Sequence, residues 1–264
     1  MRKARKFTIV VLGALFVGAV QVSAAESTVA RVDFRPNPNM SGWLRGRYVY
    51  VETKTGNWRG EEEWTLTRNV DGSRTMRIFT LISATGVMRD FIHHVDANFR
   101  PVESYQSTWH NGVKTGSGYY LFGKNYVEAK VSSPNGTFTQ RAEIDGPVTM
   151  VPHSMAGDGW HFSSYDRAKG GVQTVITFNP SAWGDGIQSV MAKVQRIAIA
   201  LKGSEQVQVP AGKFEAEVWL IDQKKDGSWV NEIWVYGPDR IMVKFVDHPN
   251  GLTYLLDRLE QPKP

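Results

Sequence analysis

Ten residues, "HSMAGDGWHF" at positions 153–162, hold two of the chain's six histidines, an aspartate and a tryptophan. The spacing His153-x4-Asp158-x2-His161 brings together two imidazoles and a carboxylate, donor types that suit zinc or non-haem iron. It matches no established metal motif, so no metal and no cofactor is expected. The same side chains, with His110, are candidates for acid–base catalysis, because an imidazole needs little tuning to work near neutral pH. Gly157 and Gly159 flank Asp158 and let the chain bend tightly. Trp160 and Phe162 add apolar surface. A long irregular stretch of this kind inside a β protein reads as a lid or plug over the sheet's mouth.

A second cluster is aromatic. "YQSTWH" and "GSGYYLFG" meet at Asn111-Gly112, a dipeptide suited to a tight hairpin. Alternation sets Trp109, Tyr119 and Leu121 against His110, Tyr120 and Phe122, so both faces of one hairpin carry rings. Trp109, Tyr119, Tyr120, Phe122, Trp160 and Phe162 are the candidate ligand-binding residues. His93 and His94 are adjacent in a strand and point to opposite faces, so they cannot both serve one site. Nucleophilic chemistry has no support: there is no Gly-x-Ser-x-Gly elbow, no phosphate-cradling loop and no dinucleotide fingerprint.

The elements that must position these residues are strands. From Trp43 to residue 144 short alternating runs such as "WLRGRYVYVETKT", "RTMRIFTLISAT" and "VKTGSGYYLFGK" are separated by Asp71-Gly72, Asn111-Gly112 and Asn135-Gly136. They predict an antiparallel meander of about eight strands. Residues 145–188 break the pattern with prolines and glycines and leave room for one short helix. A second β run covers 189–260, with hairpins at Asp226-Gly227 and Asn250-Gly251. About fourteen strands with almost no helix predict an all-β fold. A sheet that large must curl into an open barrel or half-barrel, with residues 145–188 as its lid. We expect a single β domain over 43–260 after an extended leader at 25–42.

The N-terminus reads as an address. Arg2, Lys3, Arg5 and Lys6 precede an apolar run from Phe7 to Val20. Val22 and Ala24 then form a small-residue cleavage site, so residues 1–24 are expected to be a signal peptide. The run is too short for a comfortable membrane span, so no integral span is expected after cleavage. The periplasm is the expected destination. Of 31 lysines and arginines, four lie in this segment, leaving 27 against 26 acids. A near-neutral mature chain carries no nucleic-acid footprint. The chain has no cysteine, which excludes thiol nucleophiles, iron–sulfur clusters, disulfides and a lipid-anchored cysteine.

The stretch "VQVPAGKFEAEVWLID", Val207 to Asp222, resembles the exported bacterial proteins grouped as domain of unknown function 3108. "EIWVYGPDRIMVKFV" fits the same pattern of aromatic strand, turn and strand. "DFIHHVDANFRPVESY" also resembles a strand–turn–strand unit of the lipoprotein carriers LolA and LolB. The resemblance implies a curved antiparallel sheet that shelters an apolar ligand, and it implies no catalytic residue. The leading expectation is an exported protein that binds or carries an apolar small molecule or lipid in a β-sheet pocket. The alternatives are a cofactor-free isomerase, dehydratase or lyase using His153, Asp158, His161 or His110, and an envelope structural or assembly protein. Oligomeric state is not legible.

Overall fold

The computed structural model of the protein describes residues 40–150, 154–179, 193–224 and 226–262. Residues 1–24, most of the leader, His153 and the "SAWGDG" loop lie outside them. The elements are β1 (Met40–Glu52), β2 (Trp58–Asn69), β3 (Arg74–Ile82), β4 (Val87–Val95), β5 (Pro101–His110), β6 (Val113–Phe122), β7 (Tyr126–Ser133) and β8 (Gly136–Glu143). Then come β9 (Val148–Met150), β10 (Gln173–Asn179), β11 (Lys193–Val209), β12 (Gly212–Gln223), β13 (Trp229–Tyr236), β14 (Ile241–Asp247) and β15 (Leu252–Glu260). One turn of 3-10 helix, Asp158–Phe162, lies between β9 and β10. The fold is all-β, as the alternation predicts.

Both β runs enter one open fifteen-stranded sheet, in the order β8 to β1, then β15 down to β9. The two meanders join where β1 pairs antiparallel with β15. Among the described residues only β9 and β10 are parallel neighbours. The hairpins sit where the turn chemistry puts them. Asn111 and Gly112 both adopt positive φ, 49° and 79°, as a two-residue hairpin turn requires. The second run differs in one respect. "IAIALKG" and "EQVQV" are not two strands but parts of the 17-residue β11, whose ladder slips between Leu201 and Gly203. A bulge lets one long strand bend where two short ones were expected.

The sheet curls until distant strands meet. Phe178 on β10 packs its ring 5.3 Å from Tyr120 and 5.8 Å from Phe122, both on β6. The Tyr48 hydroxyl on β1 donates to the Met242 carbonyl on β14 at 2.7 Å. The inward rows carry the core, including Trp64, Leu66, Met76, Ile78 and Phe91. On β12 both faces are buried: Ala216 and Val218 on one, Trp219 and Ile221 on the other. Among the described residues the concave side is not the open greasy hollow the sequence suggests. These side chains and the segment after β9 occupy it.

Candidate functional site

Residues 154–165 turn inward and plug the sheet. All five residues of the 3-10 turn are buried. Glycine is required at one of them: a Cβ on Gly159 would collide with the Arg240 carbonyl. The Trp160 indole donates to the Asp239 carbonyl at 2.9 Å. Phe162 stacks on Trp219 with ring centres 4.5 Å apart and planes 12° apart. Tyr165 meets the same indole edge-on at 5.0 Å. The rings are the plug's apolar anchors rather than an open platform.

A buried carboxylate on the wall holds the plug's other end. Glu62 on β2 is fully buried. Its Oε2 accepts from the Tyr50 hydroxyl at 2.7 Å, the Thr80 hydroxyl at 2.9 Å and the Met155 N–H at 3.1 Å. Its Oε1 accepts from the Ala156 N–H at 2.8 Å. A carboxylate can accept several donors at once, so it satisfies two consecutive backbone amides that no strand pairs. The sequence carried a signal for this group that our reading passed over. Glu62 alternates with Trp64 and Leu66, so it sits on the apolar face of its strand.

The histidines divide. His161 is buried; its Nδ1 lies 2.9 Å from the Thr149 hydroxyl on β9, and its Nε2 lies 3.4 Å from Asp158 Oδ1. Burial raises the Asp158 carboxyl above its ordinary range, against the pull of His161. His93 faces inward and shares a short hydrogen bond with Ser104, while His94 faces outward and meets Thr75. His110 stands at the end of β5 beside Asn111, away from the plug. Of the four candidate acid–base residues the structure therefore brings together Asp158 and His161. The candidate ligand residues also separate. Tyr120 and Phe122 point inward with the core. Tyr119 is exposed on the other face, its hydroxyl donating to Glu103 at 2.7 Å. Trp109, opposite Met88 in the ladder, is half-buried. Among the described residues no three His, Asp or Glu side chains converge as a metal site.

Two buried groups titrate in opposite senses. Burial pushes Glu62 up to about 7 from 4.5, against the hydrogen bonds of Tyr50, Ala156, Thr80 and Met155. Burial holds His93 down to about 3 from 6.5. The raised carboxyl adds stability that is fully present below pH 4.5 and lost as pH rises through about 7. The depressed imidazole adds stability above pH 6.5 that is lost as pH falls toward 3. Between pH 4.5 and 6.5 the two slopes oppose each other. In Glu62→Gln only the histidine slope remains. From pH 7.5 to about 4.5 this variant should lose about 3 kcal/mol relative to the native protein, at about 1.4 kcal/mol per pH unit. Urea unfolding at the two pH values measures it, and parallel profiles for the two proteins would refute the assignment.

The open space lies beside the plug. A pocket of about 690 Å³ sits at the sheet's rim, walled by Phe99, Ile144, Pro147 and Val148. Arg100, Lys124, Thr149 and Ser163 supply polar groups around it. Phe99 comes from the β4–β5 turn, where the Asp96 side chain accepts the Asn98 and Arg100 N–H groups at 2.8 and 2.9 Å. The turn holds Phe99 at φ 63°, a region that bulky residues avoid. Its ring is fixed by the Arg74 guanidinium at 4.2 Å and by Trp160 at 5.9 Å. A second pocket, about 440 Å³, has Phe99, Arg167, Val235, Pro238 and Arg240 among its walls. On the outer face a groove of about 490 Å³ is lined by Arg45, Glu63, Phe79, Asp90 and Tyr105, among others. Sequence reasoning missed Phe99 because a lone aromatic in a turn carries no periodic signal.

No known family profile matches the chain, and no curated protein does. Solved structures do. A beta-barrel-like protein of domain of unknown function 1849 from Brucella abortus superposes with a TM-score of 0.53 at 12% identity. The match covers 84% of this chain and 98% of that one. A chain from Parabacteroides distasonis, provisionally described as a lipoprotein, gives 0.29 at 11% identity over 84% and 97%. One from Bacteroides fragilis, provisionally described as an exported protein with a YmcC-like fold, gives 0.34 at 9% over 84% and 97%. The first likeness shows the fold: a beta-barrel-like sheet. The likeness to family 3108 stays a resemblance. No helix among the described residues is long and apolar enough to cross a membrane.

Proposed function

We propose that the protein is an exported, periplasmic binding protein that holds an apolar or amphipathic small molecule, such as a lipid. The ligand site is the rim pocket beside the plug, not the concave face. One observation carries the reading: a pocket of about 690 Å³ with Phe99, Ile144, Pro147 and Val148 as walls and a few polar groups at its edge. That volume and lining are those of small-molecule sites. The near-neutral mature charge, the signal-like N-terminus and the resemblance to lipoprotein carriers support it.

The test uses a fluorescent apolar probe, 1-anilinonaphthalene, and native mass spectrometry of the purified protein. The native protein should bind the probe, and an apolar species should co-purify. Ser164 is exposed and lines the pocket, so Ser164→Trp should fill the space with little effect on folding. Probe binding should fall at least tenfold in that variant. Equal binding by the variant, or no binding by the native protein, would refute the reading.

A second reading rests on the chain of contacts from Thr149, at the pocket wall, through His161 to Asp158. It makes the protein a cofactor-free isomerase, dehydratase or lyase whose proton path runs through the Thr149 hydroxyl. Thr149→Val would then abolish turnover while leaving ligand affinity unchanged.

A further inference from the structure

The smaller rim pocket holds a cation, Arg240, that forms no ion pair among the described residues. Arg240 ends the β13–β14 turn at φ 54°, with its N–H donating to the Gly237 carbonyl at 3.1 Å. The plug pins this turn from below, because Trp160 bonds the Asp239 carbonyl and Gly159 packs on the Arg240 carbonyl. The half-buried guanidinium lines the pocket and lies 5.7 Å from the Phe99 ring centre. Among the described residues its side chain makes no hydrogen bond or ion pair. Two of the acids nearby are engaged elsewhere, and a third, Glu215, stands exposed on the same pocket's rim. Asp239 pairs with Arg74 at 3.0 Å and Arg68 at 3.5 Å. Glu217 pairs with Arg167 at 2.6 Å and accepts from the Trp219 indole at 3.2 Å. Burial lowers the Arg240 pKa, and its neighbours Arg167 and Arg74 push the same way while Glu217 opposes them.

The charges nearly cancel. In the pocket lining Arg167 and Arg240 balance Glu217 and the exposed Glu215; behind it Asp239 pairs with both Arg68 and Arg74. One positive charge is left over, so a single negative charge completes the site and a second would meet Glu215 and Glu217 without compensation. Phe99 is a wall of both this pocket and the apolar one. A molecule lying across Phe99 would place an acidic head by Arg240 and an apolar tail against Ile144, Pro147 and Val148.

Building on the reading of the apolar pocket as the ligand site, we infer that the ligand class is an amphipathic monocarboxylate, a fatty-acid-like molecule, with Arg240 as the residue that selects its head. A guanidinium suits a carboxylate because its planar donors can form two parallel bonds. Arg100 is not the head-binding group, since its guanidinium donates to the Gly123 and Lys124 carbonyls at 2.6 Å.

Calorimetry on the full mature protein tests this with dodecanoate, dodecanol and dodecyl phosphate at pH 8. Dodecanoate should bind at least tenfold more tightly than either of the others. Arg240→Gln should erase that advantage while leaving dodecanol affinity unchanged, and Arg240→Lys should keep part of it. Lys130→Gln, at an exposed β7 residue that lines neither pocket, should change nothing. An undiminished dodecanoate preference in Arg240→Gln, a preference lost in Lys130→Gln instead, or equal binding of dodecyl phosphate would each overturn the inference and leave the apolar site standing. Failure of all three probes to bind, in the native protein, would overturn the site itself.

Discussion

Replacing Glu62 with alanine is expected to destabilise the protein by about 3–5 kcal/mol, the cost of leaving buried hydrogen-bond donors without an acceptor and of the void left behind. The substitution removes the acceptor of four hydrogen bonds at once. Tyr50 and Thr80 can turn their hydroxyls elsewhere. The Met155 and Ala156 N–H groups cannot, because they belong to a backbone held in place by the Trp160 and Phe162 anchors. Buried donors left without acceptors cost about 1–3 kcal/mol each. A negative charge that favours the protonated Arg89 also disappears. Glu62→Gln is the milder partner, since its remaining oxygen still accepts from Ala156. Urea unfolding should rank native above Gln above Ala, and limited proteolysis should cut the alanine variant first within residues 154–165. A loss below about 1 kcal/mol in the alanine variant would mean that Glu62 does not hold the plug.

Phe162→Ala is expected to cost a similar amount, about 3–5 kcal/mol, from the other end of the plug. The ring is fully buried and stacked on Trp219, itself fully buried. Its removal forfeits the transfer energy of the ring and leaves a void that the rigid strand behind it cannot close. Phe162→Leu should lose roughly half as much. Near-ultraviolet circular dichroism reports the change, because the Trp219 indole loses its stacked neighbour. Ser163 and Ser164 follow Phe162 and line the apolar pocket, so probe binding should weaken along with stability. A stable variant with native probe binding would show that the pocket does not depend on the plug.

Those two variants bear on the part of the molecule that was least legible beforehand. Turn dipeptides such as Asn111-Gly112 and Asn250-Gly251, and the alternation around Trp64 and Tyr120, are local signals. They marked the hairpins and the inward rows without any knowledge of partners. The aromatic and histidine content of residues 153–162 was equally visible and pointed to a cover over the sheet. The pocket-lining role expected of Trp160 and Phe162 has a different geometry in the structure: both rings face the packed interior. Composition cannot tell an aromatic that waits for a ligand from one that has already found Trp219. Trp109 and Tyr119 illustrate the same limit, since alternation showed that the hairpin had two faces but not which one was enclosed.

Taken alone, the order of residues determined an all-β chain with an interrupted meander and a chemistry without thiols. Strand alternation, turn residues and composition act over a few positions, so they are legible without a fold. Only the tertiary structure decided that β1 would zip to β15, that Glu62 would receive amides 93 and 94 residues away, and that the open space would lie at the rim around Phe99. Such pairings are decided by which surfaces can be buried together once distant segments have been brought near each other. That competition has no local signature, and its outcome gave Arg240 a pocket and left it without an ion pair among the described residues.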